Sequence, residues 1–389
     1  MTRRTVIILF FVTIILHGWA VWRCFSADNE KPAAFIDVPP TRADRAPPCM
    51  SEGYISPDAG QGMVHVPSIC ELSDGRLAAV WYGGTREGAR DTAIYYATNI
   101  SENTLTWCQP RVIVDRASAS KELCRFVKKV GNPVLFTDSE DNIWLIYVSI
   151  SVGGWSGSSL NVKISYDNGN TWTRSERLVL SPFLNIGELV RNTPVIMSNH
   201  RFLVPIYHEC IGRFPEILWI WKGRKTRRIY FKKTRMSGGR SYIQPSVVGH
   251  DSRLASAFYR NMSGDRSIGM AVSSDAGITW SEPQNLELPN PDSGLNAILL
   301  SGGRILLAFN DSNSNRHNLS LAVSSDAGRH FMRIAVVEDT AAEEFSYPYM
   351  IRDREGKIHL VYTWRRKRIK HVVFNEPWID AEIKKASNS

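Results

Sequence analysis

Hydrophobic and polar positions in this chain fall into a repeating figure: an apolar run, a tight polar turn and a second apolar run. It appears as PSICELSDGRLAAVWY, PVLFTDSEDNIWLIYV, PVIMSNHRFLVPIY, PSVVGHDSRLASAFY, AILLSGGRILLAF and PYMIRDREGKIHLVY. Each is the pattern of two strands joined by a hairpin. The turns fall at Asp74, Asp141, Asn199, Asp251, Gly302 and Glu355, roughly 50 to 67 residues apart, near the size of a propeller blade. Six such units predict an all-β fold, a six-bladed β-propeller, in which radial packing leaves few exposed strand edges. A β-sandwich would not require a regular period.

A second repeat lies over the first: SYDNGNTW at Ser165–Trp172, SSDAGITW at Ser273–Trp280 and SSDAGRHF at Ser324–Phe331. Asp and Asn side chains bond backbone two residues on, and Gly accepts positive φ, so the phrase reads as a staple at a hairpin turn. SENTLTW at Ser101–Trp107 and MSGGRSY at Met236–Tyr242 read as eroded copies. Asp167, Asp275 and Asp326, with Trp172 and Trp280, are assigned to stability rather than to chemistry.

The 389 residues divide into four parts by composition. Arg3 and Arg4 precede the apolar stretch Thr5–Trp22, so residues 1–24 read as a hydrophobic helix serving as a transmembrane anchor or an export signal. Either places the rest outside the cytoplasm, on the periplasmic or extracellular face. Residues 25–52 are rich in Pro and read as a stiff spacer, residues 53–377 as the propeller and residues 378–389 as a polar tail. Five of the six cysteines lie beyond the anchor, so at least one stays single. No Cys/His metal spacing appears, and no metal or cofactor is expected. The net charge of +9 is concentrated at Lys222–Arg235 and Arg365–Lys370. Behind an export segment those runs are matched to anionic glycan or lipid rather than to nucleic acid.

In a propeller the innermost strand of each blade runs along the central channel, and its first residues ring one end. That position holds His65, Asn132, Asn192, Gln244, Asn296 and Tyr347, all polar. Six converging hydrogen-bonding side chains describe a polar funnel suited to a sugar. Loops after the second strands add Arg86, Glu87, Arg90 and Asp91, then His208 and Glu209, Arg260, Asn310 and Arg316, and Arg365 and Arg366. Several Arg beside carboxylates point to a sugar carrying an acid group, since Arg holds a carboxylate with two parallel bonds.

With HVP, TREGARD, YRN, SNSNRHNLSLAVSSDAG and SYPYMI in that order, the chain resembles the sialidase (neuraminidase) superfamily of Asp-box propellers from about Gly53 to Val373, and especially its BNR-repeat branch. The resemblance implies an exo-glycosidase acting on a terminal acidic sugar of glycans or exopolysaccharide. It implies Arg260 and Arg316 as two of three carboxylate-binding arginines, Asp91 as acid/base with Glu87 close by, and Tyr347 as nucleophile. Arg86, Gln244, Asn132, Asn192, Glu209 and Asn296 are placed in substrate binding. Two positions depart from the family pattern. His65 stands in His-Val-Pro where sialidases carry the first Arg, and Gln244 stands where they carry the Glu that activates the Tyr. Glu343, Glu344 and Glu209 are the substitutes for that Glu. His65 or His208 with Tyr347 would serve a polysaccharide lyase or a glycosidase for another sugar, and the same funnel without turnover would be a glycan-binding propeller.

Overall fold

The computed structural model describes residues 7, 33–36, 45–102, 104–181, 185–223, 226 and 228–388. The hydrophobic segment Thr5–Trp22 lies outside these apart from Ile7, so the expected anchor helix does too. Among the described residues no helix is long and apolar enough to cross a membrane.

Six antiparallel sheets form the body. The chain opens with β1 (Met50–Tyr54). Blade one is β2 (Met63–Glu71), β3 (Leu77–Gly84), β4 (Ala93–Thr98) and β5 (Arg111–Val114). A short helix, α1 (Arg116–Leu123), leads to blade two: β6 (Lys129–Thr137), β7 (Ile143–Ile150), β8 (Ser158–Ser165) and β9 (Glu176–Arg177). In blade three the inner strand is broken into β10 (Glu188–Val190) and β11 (Val195–Ile196), before β12 (Phe202–His208), β13 (Phe214–Lys222) and β14 (Ile229–Arg235). Blade four is β15 (Tyr242–Gly249), β16 (Ala255–Asn261), β17 (Ser267–Ser273) and β18 (Gln284–Pro289). Blade five is β19 (Asn296–Leu299), β20 (Ile305–Phe309), β21 (Asn318–Ser324) and β22 (Met332–Asp339). Blade six is β23 (Phe345–Arg352), β24 (Ile358–Trp364) and β25 (Arg368–Phe374), and its fourth strand is β1, paired from Met50 with Phe374 to Tyr54 with Lys370. The six predicted hairpins are the first and second strands of the six blades.

Three segments differ from expectation. Within the Pro-rich stretch Phe35 is 4% exposed and lies against Gly249 and Gly277, with its N–H donated to the Ser252 carbonyl. An aromatic side chain with a cavity to fill overrides the polar composition around it, so this part is seated on blades three and four rather than free. The expected polar tail is α2 (Glu376–Ser387), capped by Asn375, with Ile379 buried and Trp378 and Ile383 packed against the core. Met236–Tyr242 joins β14 to β15 and so is a link between blades, not an eroded turn between a third and a fourth strand.

The three intact Asp-box phrases share one hydrogen-bond pattern. Ser273 Oγ donates to Asp275 at 2.9 Å and accepts from the Gly277 N–H, while Asp275 accepts from Thr279 N–H and Oγ1 at 2.9 and 2.6 Å. The turns at Ser165 and Ser324 repeat it, with His330 in place of Thr. Each turn sits at the end of a third strand and wedges against the preceding blade. Asn168 accepts from Tyr96 Oη at 3.2 Å, Gly277 lies against the Leu203 side chain of blade three, and Ala327 accepts from Ser256 Oγ at 2.7 Å. These turns therefore rivet neighbouring blades at the end opposite the first residues of the inner strands.

The inner strands share a second device. Val66, Asn132, Gln244 and Tyr347 adopt φ of 53, 43, 52 and 56°, each where the register of its first hairpin shifts and each directly before a proline. The position is sterically disfavoured for a non-glycine residue, most of all for β-branched Val. A bulge of this kind re-aims the side chain. It directs Asn132, Gln244 and Tyr347 to one end of the channel. In blade one the residue so placed is Val66, one position on from the predicted His65.

Asp275→Ala removes the acceptor that organises its turn. The expected loss is about 1–2 kcal/mol, read as a melting temperature lower by about 2–5 °C with glycan affinity unchanged.

Candidate active site at the axial funnel

Tyr347, partly exposed, stands at the centre of the funnel, and among the described residues its hydroxyl has no hydrogen-bond partner. The His65 ring meets it edge to face at 4.8 Å between centroids. Two guanidinium carbons lie near its ring centre, Arg191 at 5.2 Å and Arg316 at 5.3 Å. Arg316 contacts Glu344 at 3.4 Å, and Glu344 also accepts from Arg366 at 2.7 Å and from Ser346 at 2.7 Å. Arg366 reaches on to Glu87 at 2.8 Å, and Arg260 pairs with Asp292 at 2.7 Å. Four arginines from blades three to six thus surround the Tyr347 and His65 pair, three of them fixed by carboxylates. Burial works against ionisation of Glu344, yet the bonds from Arg366 and Ser346 and the charge of Arg316 hold it below the ordinary carboxylate range.

Arg191 departs from this scheme. It is 1% exposed, donates through Nη2 to the Pro348 carbonyl at 2.8 Å, and among the described residues leaves Nε and Nη1 without a partner. Burial pulls this guanidinium down to about 10, against the opposing influence of Tyr347, Tyr349 and Tyr207. It stays protonated at neutral pH, a charge beneath Tyr347 with no carboxylate to balance it. Its position follows from the break between β10 and β11, which turns Arg191 and Asn192 onto the axis.

His65 is fully buried. Thr363 Oγ1 accepts the Val66 N–H at 3.1 Å, so its own hydrogen is free for His65 Nδ1 at 3.0 Å. In the tautomer in which Thr363 donates to Nδ1, Nε2 carries the proton, and among the described residues it has no partner. Burial first, then Arg366, Arg316 and Arg191, hold the ring well below the ordinary histidine value. At neutral pH it offers one neutral N–H donor. Gln244 donates from Nε2 to Tyr207 Oη at 3.2 Å, and Asn132 donates to the same hydroxyl at 3.4 Å.

The other predicted residues separate. Asn192 and Asn296 are fully buried braces: Asn192 donates to the Gln244 and Pro245 carbonyls at 2.8 and 3.0 Å, and Asn296 accepts from Met350 N–H at 2.9 Å. Neither offers a surface to a ligand. Asp91 is exposed, and its carboxylate closes the β3–β4 loop by accepting from Thr85 N–H and Oγ1 at 2.9 and 3.0 Å. Arg86 is exposed in the same loop. Glu209 makes no side-chain hydrogen bond among the described residues, and burial raises its carboxyl above the ordinary range despite Arg260 and Arg213. Sequence reasoning missed Arg191, Tyr207 and Asp292. The sequence signal for the first was its place beside Asn192 in an Arg-Asn-Thr-Pro phrase.

One group among the described residues has metal-ligand spacing: Glu188, His208 and Glu216, with ligand atoms within 4.8 Å of one another. The Lys233 ammonium already lies between the two carboxylates, 3.0 Å from Glu188 and 3.1 Å from Glu216. It supplies the positive charge that a cation would.

Six blades around a cation-lined axial funnel define a six-bladed β-propeller with one polar axial end. The chain belongs to the BNR repeat-like domain family, whose profile matches residues 75–360. Its fold is similar to that of the Hadza microbial sialidase Hz136, at a TM-score of 0.64 and 15% identity over 80% of this chain and 65% of the other. A Dyadobacter fermentans protein of unknown function aligns at 0.65 and 13% identity, covering 83% and 97% of the two chains. The intramolecular trans-sialidase from Ruminococcus gnavus, in complex with oseltamivir carboxylate, aligns at 0.63 and 16%, covering 84% and 97%. No curated protein sequence matches the chain.

Burial lowers His65 and His371, so below about 6.5 the unfolded chain binds protons that the folded one refuses. Stability is then expected to fall as pH drops from about 7 to 5, and His65→Gln with His371→Gln should flatten that slope in thermal melts. Arg191→Met removes a desolvated, unpaired charge and is expected to hold or raise the melting temperature, an outcome set by at most about 1–3 kcal/mol.

Proposed function

We propose that the protein is a sialidase-like exo-glycosidase that releases a terminal acidic sugar from a glycan or exopolysaccharide. The observation that carries this reading is the convergence of Arg316 and Arg191 on the free Tyr347, each about 5 Å from its ring. Arg260 and Arg316 would hold the sugar carboxylate by paired charge-assisted bonds, already oriented by Asp292 and Glu344. Arg191 would add long-range positive potential from below, and His65, packed edge to face on Tyr347, would fix the orientation of its ring. Tyr347 would face the anomeric carbon. The proton for the leaving oxygen would come from the β3–β4 loop, through Asp91 or Glu87. Glu209, protonatable and unpaired, would take over the proton chemistry that Gln244 cannot perform. The apolar stretch before the spacer supports delivery of this domain to the outer face of a membrane.

A second reading, glycan binding without turnover, is favoured by Gln244 in place of a carboxylate and by the exposed, loop-closing Asp91. Screening fluorogenic glycosides of sialic acid, glucuronic acid and galacturonic acid separates the two. Release from one of them is expected, lost by at least about 100-fold in Tyr347→Phe and weakened mainly in KM by Arg316→Met. No release from any, with glycan binding unchanged by Tyr347→Phe, would leave the binding propeller.

A further inference from the structure

A second buried cation lies beside the funnel. Lys129, the first residue of β6, is 7% exposed, and among the described residues no oxygen accepts from its ammonium. It is held instead over the face of Trp155, 4.8 Å from the ring centre. A cation–π contact restrains an ammonium without consuming its hydrogen-bond donors. Burial first, then the neighbouring Lys128 and Arg86, lower the Lys129 amine, with Glu87 opposing. An ammonium partly withdrawn from water in this way would gain from an anion at its open side.

Two chains of contact tie this cation to Tyr347. One runs through the rings: Trp155 lies 6.1 Å from Tyr82, Tyr82 lies 5.9 Å from His65, and His65 packs on Tyr347. The other runs through charges. A Cβ at Gly88 would meet Lys129 Nζ at 2.8 Å, the adjacent Glu87 pairs with Arg366, and Arg366 shares Glu344 with Arg316. Lys129, in blade two, therefore touches the β3–β4 loop, the element that would protonate the leaving oxygen, whereas Arg260 and Arg316 come from blades four and five. A cation held against that loop would lie nearer the unit being released than the carboxylate-binding arginines would.

Resting on the acidic-sugar reading of the funnel, we propose that Lys129, positioned by Trp155, is the anion-binding group of an adjoining subsite that accepts a negatively charged leaving unit, so that the substrate is a polyanionic glycan. The pair discriminates by charge: a uronate, sialate or sulfated unit satisfies Lys129, and a neutral hexose leaves its charge without a partner.

The test is calorimetric binding to the full-length protein and to Lys129→Met, a change that keeps length and apolar packing against Trp155. Two ligand pairs are used: sialyl-α-2,8-sialic acid against sialyl-α-2,3-lactose, and digalacturonate against methyl galacturonide. The dianionic member is expected to bind about tenfold more tightly, and Lys129→Met to abolish that preference while leaving the monoanionic affinity unchanged. No preference in the wild type, or one that survives in Lys129→Met, overturns the proposal. Inorganic sulfate decides the case in which neither pair binds, where the acidic-sugar reading itself fails. Sulfate stabilisation, and a change in the Trp155 emission taken as wild type minus Trp155→Phe, would be lost in Lys129→Met if the anion subsite exists. Equal sulfate responses in wild type and Lys129→Met would sink it.

Discussion

The structure depends on a left-handed residue placed directly before proline at the axial end of four inner strands. Val66, Asn132, Gln244 and Tyr347 hold this conformation, and it interrupts each inner hairpin at the same level. Strain of this kind costs on the order of 1–3 kcal/mol per residue, and the surroundings show what offsets it. At Val66 the freed N–H goes to Thr363 in the neighbouring blade, and at Gln244 the carbonyl accepts from Asn192, again in the neighbouring blade. The same bonds that hold the strain also hold the blades together. Catalytic-type side chains and the ring's inner wall are thus products of one backbone event.

Charge at the funnel follows a consistent rule with two exceptions. Arg260, Arg316 and Arg366 are each fixed by a carboxylate, which keeps the guanidinium planes set before any ligand arrives. Arg191 and Lys129 are the exceptions: both residues are buried, and among the described residues neither has a carboxylate bonded to it. One lies under Tyr347 and the other at the flank of the β3–β4 loop. A site that leaves two desolvated cations unbalanced has a resting potential suited to anions, whatever the reaction.

Much of the fold was legible because hairpins and Asp-box turns are local. A run such as PSICELSDGRLAAVWY carries its own strands and its own turn. The inner ring was legible through the residue before proline at Asn132, Gln244 and Tyr347, and slipped by one in His-Val-Pro because the bulge sits on Val66. Arg191 was hidden by the break between β10 and β11, which no hydrophobic period announces. Lys129 and Trp155 were hidden for another reason: one opens a strand ahead of its apolar run, the other sits in a single 3-10 turn, and they meet through tertiary folding. The C-terminal helix rests on Trp378, Ile379 and Ile383, too few apolar positions to stand out from their polar neighbours. Pairings such as Glu344 with Arg366 had no sequence signal at all.

The closure of the ring has a consequence for how the protein comes into being. Cys49 N–H bonds to Asn375, 326 residues further along, and β1 pairs only with the last strand of the chain. At a ribosomal pace of about 5–20 residues per second, the first strand waits roughly 15–65 s for its partner. Throughout that interval the nascent chain carries an unmatched edge. Its safe arrival therefore depends on whatever shields that edge during synthesis.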